Sequence, residues 1–172
     1  MAAASKAKWL VKYSPPFWCG EVVCGQAPKQ RMLFANLPTP IHAVEPPSEF
    51  PIGVNLFIKR DDATGGCELG GNKLRKLEFL IADACLQGVD SVVTIGGIQS
   101  NHCRATVGAA TMAGLKSHLV LRTNKPDEDP SFTGRLCLVS HAATPFTTVY
   151  REFNVFQVSW CNHSYRHTWG IW

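Results

Sequence analysis

Strand and helix patterns alternate at short intervals between residues 55 and 121, and this alternation restricts the fold more than any other feature of the sequence. The predicted elements are, in chain order, a strand at Asn55–Lys59, a helix between Gly71 and Gly88, a strand at Val92–Ile95, a helix that includes Ala105–Ala113, and a strand at His118–Leu121. This order predicts an α/β fold, with a partial open parallel sheet and helices on its faces.

The two ends of the chain lack this alternation. Residues 1–50 are punctuated by prolines, each of which removes a backbone donor and disfavours helix just before it. Residues 140–172 hold three of the five Trp, three of the six His and no Lys, without a helical or strand period. We therefore expect an irregular N-terminal segment (1–36), a partial α/β domain (37–136) and a divergent, poorly ordered tail (137–172).

The composition argues against several classes of protein. The 172 residues carry a formal charge of +4 without a block of five Lys or Arg, so we expect no nucleic-acid partner, and an anionic small ligand suits the charge better. No apolar run approaches the roughly 18 residues of a membrane span, so we expect no membrane partner. Seven scattered cysteines form no Cys-x-x-Cys pair, which predicts neither a disulfide framework nor a metal site and indicates a reducing compartment.

The N-terminal residues leave two compartments open. The segment Met1–Trp9 lacks the apolar centre of a secretory signal, which favours the cytoplasm. No acidic residue precedes Glu21, so a mitochondrial presequence is the alternative, although the segment also lacks Arg.

A glycine-rich loop ends in Gly70–Lys73 (Gly-Gly-Asn-Lys) and opens the first predicted helix. Its glycines let the backbone approach a ligand and direct free N–H groups at it. The ammonium form of Lys73 would be disfavoured there by the positive helix N-terminus and by desolvation, which is what an amine nucleophile needs to form a Schiff base. The same pattern also fits a solvent-exposed lysine after a turn, and the loop matches neither the dinucleotide nor the Walker motif.

A second glycine-rich loop, Gly96–His102, follows the second predicted strand and opens the next helix. In open α/β sheets, ligands bind at the carboxyl ends of the strands, and a helix N-terminus can hold a carboxylate or a phosphate. Ser100 and Asn101 also suit a purely structural role as helix caps, and His102 suits either a proton carrier or a hydrogen-bonded structural group. Because the two loops follow neighbouring βα units, we expect them to face one cleft.

Three stretches resemble one enzyme family: Ile58–Asp62, Gly70–Phe79 and Gly96–Ala105 are similar to the D-cysteine desulfhydrase and 1-aminocyclopropane-1-carboxylate deaminase family. These are pyridoxal-phosphate (PLP) enzymes of the tryptophan-synthase-β-like fold, also called fold-type II. The resemblance extends over about Leu37–Leu136, and the motifs have the family's order and spacing. It implies an incomplete version of that fold.

The resemblance implies a role for each residue of the two loops. Lys73 matches the Schiff-base lysine, which holds PLP and later moves protons at Cα, and Asn72 belongs to the same cofactor-binding loop. Asn101 matches the residue beside the ring hydroxyl of PLP. The group Ser100, Asn101 and His102 matches the loop that receives the substrate carboxylate, and Ser100 is also a candidate for a second, catalytic proton-handling role.

The implied activity is that of a lyase or deaminase acting on a small amino acid. The D-cysteine desulfhydrase reaction, a β-elimination that gives pyruvate, sulfide and ammonia, is the first expectation, and deamination of 1-aminocyclopropane-1-carboxylate is an alternative. A catalytically incompetent truncated isoform is another, because the family's phosphate-binding cup lies downstream of the matched region and no such loop appears here. The resemblance also implies a homodimer.

Overall fold

Strands and helices alternate along most of the computed structural model, which describes residues 9–20, 25–66, 69–123 and 134, and the backbone of residues 146–150 and 168–171. The elements are, in chain order, β1 (Leu10–Lys12), a 3-10 helix (Phe17–Cys19), β2 (Gln30–Met32), β3 (Ile41–Val44), β4 (Leu56–Lys59), a 3-10 helix (Asp61–Thr64), α1 (Lys73–Leu86), β5 (Ser91–Gly97), α2 (Asn101–Met112), β6 (Lys116–Thr123), β7 (Phe146–Tyr150) and β8 (Thr168–Ile171).

A parallel sheet with the strand order β7-β6-β5-β8 carries the fold. The two central strands, β5 and β6, are aligned so that Thr94 lies opposite Leu119 and Ile95 lies opposite Val120. The predicted α/β fold is confirmed, and both central strands are longer than their apolar runs predicted. They are longer because polar and glycine residues at their ends also take part in the pairing.

Two stretches of the C-terminal segment also belong to this sheet. Strand β7 pairs in parallel with β6, and β8 pairs in parallel with β5. The prediction of a segment without strands is therefore wrong for 146–150 and 168–171. Strand pairing depends on a neighbouring strand more than on local propensity, so the sequence pattern alone did not reveal it. The other residues of 137–172 lie outside the described part of the chain.

Helix α1 is held by an apolar stripe with helical spacing. Leu74, Leu77 and Ile81 have no measurable exposure, and the helix ends before Gly88, whose φ of 71° suits a residue without a side chain. Met32 and Phe34 of the N-terminal segment belong to the same apolar cluster. This cluster joins α1 to β2 and to α2.

Helix α2 packs closely because its buried face is built of small residues. Ala105, Ala109 and Ala110 are at most 1% exposed and join the apolar cluster of α1. On the side of the sheet, Val107 packs with Leu119 of β6. The sequence-based prediction of a small-residue helix packed on a sheet is confirmed.

The N-terminal segment contains more regular structure than its prolines predicted. Strands β1 and β2 form an antiparallel pair, and β3 pairs with β4 in the same way. The buried Glu78 carboxylate on α1 accepts the backbone N–H groups of Phe34 and Ala35, both at 2.8 Å. The rings of Tyr13 and Phe79 pack edge to face, with their centroids 4.9 Å apart. These long-range contacts hold the segment on α1.

Candidate functional site

The glycine-rich loop before α1 is organised by the buried hydroxyl group of Thr64. This oxygen accepts the backbone N–H of Gly71 at 3.1 Å. The same hydroxyl oxygen lies 3.0, 3.2 and 2.9 Å from the carbonyl oxygens of Asp61, Leu69 and Gly71, and its single proton can be donated to one of them at a time. A buried polar group with this many partners holds a backbone firmly. The segment that leads into Lys73 is therefore held by hydrogen bonds to buried Thr64, a residue that the sequence pattern did not single out.

An ion pair fixes the first turn of α1. The Arg75 guanidinium donates to both carboxylate oxygens of Asp61, at 2.9 and 2.6 Å, and also to the Thr39 hydroxyl at 3.0 Å. These hydrogen bonds from Arg75 lower the pKa of the Asp61 carboxyl to about 2. Arg75, which in the sequence is only a neighbour of Lys73, therefore anchors the start of the helix to the end of β4.

Lys73 is the first residue of α1 and is half-buried. Asn72 precedes it, is exposed, and caps the helix with no side-chain hydrogen bond in the described part of the chain. The first turn also contains no acidic residue. The N–H groups that begin this helix therefore remain available to an acceptor, as in anion-binding helix starts.

The loop that carries Lys73 touches the first residue of α2. Gly71 has a φ of 113°, and a Cβ atom built there would lie 3.0 Å from Nδ2 of Asn101. A larger residue at this position would be strained by the positive φ and would require the Asn101 amide to move. The structure therefore places Asn101 beside the Lys73 loop. The strand before this loop, β4, pairs with β3 and lies outside the parallel sheet, so the two loops do not follow neighbouring strands of one sheet as the sequence predicted.

Arg104 joins the same two loops from the buried side. Arg104 is only 8% exposed. Its Nη2 atom donates to the carbonyl oxygen of Gly70 at 2.7 Å and to Oδ1 of Asn101. The sequence interpretation did not assign Arg104 a role. One sequence feature could have revealed this role: Arg104 lies one turn after Asn101 on the small-residue face of α2, where an unpaired charge would be costly.

Ser100 caps α2. Its hydroxyl accepts the N–H of Cys103 at 3.2 Å, and a Cβ atom at Gly96 would lie only 2.6 Å from the same oxygen. The glycine is therefore required for the serine to reach its capping position. The capping role that the sequence allowed for Ser100 is present, and a proton-handling role remains a prediction.

His102 lies in the first turn of α2 with both ring nitrogens buried. Neither nitrogen has a hydrogen-bond partner within the described part of the chain. Burial, followed by the positive charges of Lys76 and Lys73, lowers the pKa of His102 to about 4. The imidazole is therefore neutral near pH 7, with one N–H donor and one acceptor nitrogen available to a polar ligand.

Together, these features define an α/β protein in which the loop before a helix-start lysine lies beside the first residue of α2, the helix that follows strand β5 of the parallel sheet. The family model described as "Pyridoxal-phosphate dependent enzyme" matches residues 32–136, which is more than half of the chain. The chain belongs to this family, and its members depend on PLP.

Named relatives agree with the motif resemblance. The bifunctional D-cysteine desulfhydrase/1-aminocyclopropane-1-carboxylate deaminase, mitochondrial, of Arabidopsis thaliana is 53% identical over 77% of this chain and 33% of the relative. The D-cysteine desulfhydrase of Salmonella typhimurium is 46% identical over 56% of this chain and 28% of the relative. The chain thus spans about a third of the length of the relatives it matches.

A solved structure supports the same fold. The crystal structure of a homologue of 1-aminocyclopropane-1-carboxylate deaminase superposes with a TM-score of 0.58 and 33% sequence identity, over 78% of this chain and 38% of the other. The tryptophan-synthase-β-like fold that the motifs implied is therefore confirmed for the matched part.

The described residues suit the lysine-bound side of PLP. The Asn101 amide is a hydrogen-bond donor beside the Lys73 loop, where an oxygen on the pyridine ring would need one. His102 supplies buried nitrogens without a partner among the described residues, and such groups suit a polar ligand. The glycine at position 71 keeps the space between the two loops free of a side chain.

Proposed function

We propose that this chain forms the lysine-bearing part of a PLP-dependent lyase or deaminase that acts on a small amino acid. The observation that carries the proposal is the position of Lys73 at the start of α1, directly after a loop that touches the Asn101 amide. A lysine amine and an amide donor on facing helix starts suit covalent capture and orientation of PLP.

Each residue has a defined task in this proposal. The Lys73 amine would hold the cofactor and would move the proton at the substrate Cα. Asn101 orients the cofactor ring through its amide, and Asn72 continues the same loop. His102, Ser100 and the N–H groups that begin α2 receive the substrate carboxylate. The cofactor supplies an electron sink for the carbanion at Cα.

D-Cysteine is the first substrate proposed. Loss of the Cα proton and of the sulfur as sulfide, followed by hydrolysis of the C–N bond by one water, gives pyruvate and ammonia. Two relatives whose names include D-cysteine desulfhydrase support this choice. The name of the Arabidopsis relative also supports 1-aminocyclopropane-1-carboxylate as a second candidate, whose ring opening and hydrolysis give 2-oxobutanoate and ammonia.

The proposal is tested by trapping the cofactor on the chain. Purified protein is incubated with PLP and reduced with borohydride, and the modified lysine is located by peptide mass spectrometry. We expect one label on Lys73, which disappears in Lys73→Ala and persists in Lys76→Ala, the matched control one turn away. A label on Lys76 instead would contradict the assignment to Lys73, and no label at saturating PLP would contradict cofactor binding.

Activity is measured separately from cofactor capture. Sulfide release from D-cysteine and 2-oxobutanoate formation from the cyclopropane substrate distinguish the two candidate reactions. A chain that captures PLP on Lys73 but produces neither product would be the catalytically incompetent form that the sequence allowed.

A homodimer is the proposed assembly. The β3–β4 pair supports it, because Ile41 and Phe57 are 64% and 61% exposed and large apolar side chains of this kind often lie at interfaces. Sedimentation analysis measures the oligomeric state of wild type and of a Phe57→Ser variant. A monomeric wild type would contradict it.

We further propose the cytoplasm as the compartment, with the mitochondrion as the alternative that the name of the Arabidopsis relative supports. The helices in the described part of the chain are too short or too polar to cross a membrane. A C-terminal fluorescent fusion, imaged with a mitochondrial marker, distinguishes the two compartments.

A further inference from the structure

Arg104 is a cation on the buried face of α2. The residue is 8% exposed, and its neighbours Cys103 and Ala105 are 1% exposed. A guanidinium in such surroundings needs hydrogen-bond acceptors, because burying an unpaired charge is costly. Two of its partners are the Gly70 carbonyl oxygen, at 2.7 Å, and Oδ1 of Asn101. Gly70 and Asn101 belong to the two loops of the proposed cofactor site.

The contact with Arg104 fixes which way the Asn101 amide points. A guanidinium can only donate hydrogen bonds, so the atom of Asn101 that faces it must be the carbonyl oxygen. The NH₂ group then faces the other way, towards the Lys73 loop. The distances agree, since a Cβ atom at Gly71 would lie 3.0 Å from Nδ2 and 3.9 Å from Oδ1 of Asn101.

We propose that Arg104 is a positioning residue for cofactor binding: it holds the Asn101 amide with its donor towards the pyridine-ring oxygen of PLP. This inference rests on the proposed function, since it concerns the same site. Arg104 acts on the cofactor site through Asn101, whose amide orientation it fixes.

The consequence of losing Arg104 follows from the chemistry of the amide. Without a donor behind it, the amide can turn and present its carbonyl oxygen to the ring oxygen, so that two acceptors face each other. A lost hydrogen bond of this kind corresponds to about a tenfold weaker binding of PLP. A donor also stabilises negative charge on the ring oxygen, so its loss should raise the pKa at which the absorbance of the Lys73-bound cofactor changes, by about one pH unit.

The experiment compares six variants of the full chain by the PLP dissociation constant and by that spectroscopic pKa. Asn101→Asp retains an oxygen for Arg104 and removes the donor, so the fold is preserved and the pKa should rise. Arg104→Gln should raise it similarly, because a glutamine can donate or accept and no longer selects one orientation. Arg104→Lys should give an intermediate shift, since its ammonium remains a donor only. Arg60→Gln, at an exposed ion pair, is the control and should leave both quantities unchanged.

The last two variants, Asn101→Ala and the double variant Asn101→Ala, Arg104→Gln, separate positioning from a general structural effect. If Arg104 acts through Asn101, adding Arg104→Gln to Asn101→Ala produces no further pKa shift. An Arg104 variant that folds and binds PLP with an unshifted pKa, while Asn101→Asp is shifted, would overturn the proposal.

A measurement on the cofactor-free chain keeps the two proposals distinguishable. The side-chain NH₂ signals of Asn101, identified by their absence in Asn101→Asp, should move in Arg104→Gln and stay in Arg60→Gln. If wild type captures no PLP, the proposed function fails, and these signals decide whether Arg104 orients the amide. Unmoved signals in Arg104→Gln would contradict the positioning role independently of the cofactor.

Discussion

The Asp61 carboxylate and the Arg75 guanidinium form a two-point ion pair, with N–O distances of 2.9 and 2.6 Å, between the end of β4 and the first turn of α1. Planar groups paired in this way fix direction as well as distance. Because Lys73 begins the same turn, this ion pair fixes the position of the Lys73 backbone relative to β4.

This ion pair predicts a loss of stability in acid. Arg75 lowers the pKa of Asp61 from 3.8 to about 2, so the carboxyl binds its proton less readily in the folded state than in the unfolded state. Its contribution is therefore complete above pH 3.8 and is lost as the pH falls towards 2. Since the pair is partly exposed, we expect Asp61→Asn to lower the free energy of unfolding by about 1 kcal/mol at pH 7.

Urea unfolding at a series of pH values measures this effect. The difference between wild type and Asp61→Asn should shrink below pH 3.8. Asp62→Asn, at a more exposed pair with Arg60, is the control and should change stability little at pH 7. A difference that is the same at pH 7 and at pH 2 would contradict the assignment.

A second prediction concerns Glu78, whose buried carboxylate holds the N-terminal segment. Glu78→Ala leaves the N–H groups of Phe34 and Ala35 without their acceptor, and we expect a loss of about 3 kcal/mol in the free energy of unfolding. Hydrogen exchange at these two amides should accelerate. Glu78→Gln keeps one carbonyl oxygen and should lower the free energy of unfolding less. Glu49→Ala, at an exposed position, should leave the free energy of unfolding almost unchanged. Unchanged exchange in Glu78→Ala would rule out this role.

The central strands β5 and β6 and the helices α1 and α2 could be predicted from the sequence because their signals are local. The apolar period of α1 and the β-branched run of β5 each lie within one short window. Strands β1 and β2 could not be predicted, because they depend on packing against α1 and on Glu78, which is 44 residues from Phe34. Strands β7 and β8 depend in the same way on the partners they pair with.

The site residues also divide into those with a local sequence signal and those whose role depends on distant partners. Lys73 and Asn101 could be singled out because each follows a glycine-rich loop at a helix start. Arg104 was missed because its partner Gly70 lies 34 residues away, and the sequence does not indicate which buried cation meets which carbonyl. Thr64 was missed because its role depends on the shape of the loop around it and not on its residue type.

A third prediction concerns the close approach of the two loops. Gly71→Ala adds a Cβ atom 3.0 Å from Asn101 Nδ2 at a φ of 113°, so it should separate the loops and reduce PLP capture on Lys73 by at least about tenfold. Gly114→Ala is the matched control, because it also has a positive φ of 70° but open space around it. That control should cost about 1 kcal/mol of stability and leave capture intact. Equal capture by wild type and Gly71→Ala would show that the contact is dispensable.

The last prediction concerns the titration of His102. Burial lowers its pKa from 6.5 to about 4, so below pH 6.5 the unfolded chain binds a proton that the folded chain does not. This side chain therefore removes stability progressively as the pH falls from 6.5 towards 4 and has no such effect above 6.5. His102→Gln, which cannot gain a charge, should lose less stability over that interval than wild type does, and the exposed His42→Gln is the control. The ring signals of His102 in NMR spectra should titrate near pH 4, whereas a titration near 6.5 would mean that the imidazole is solvated and not buried.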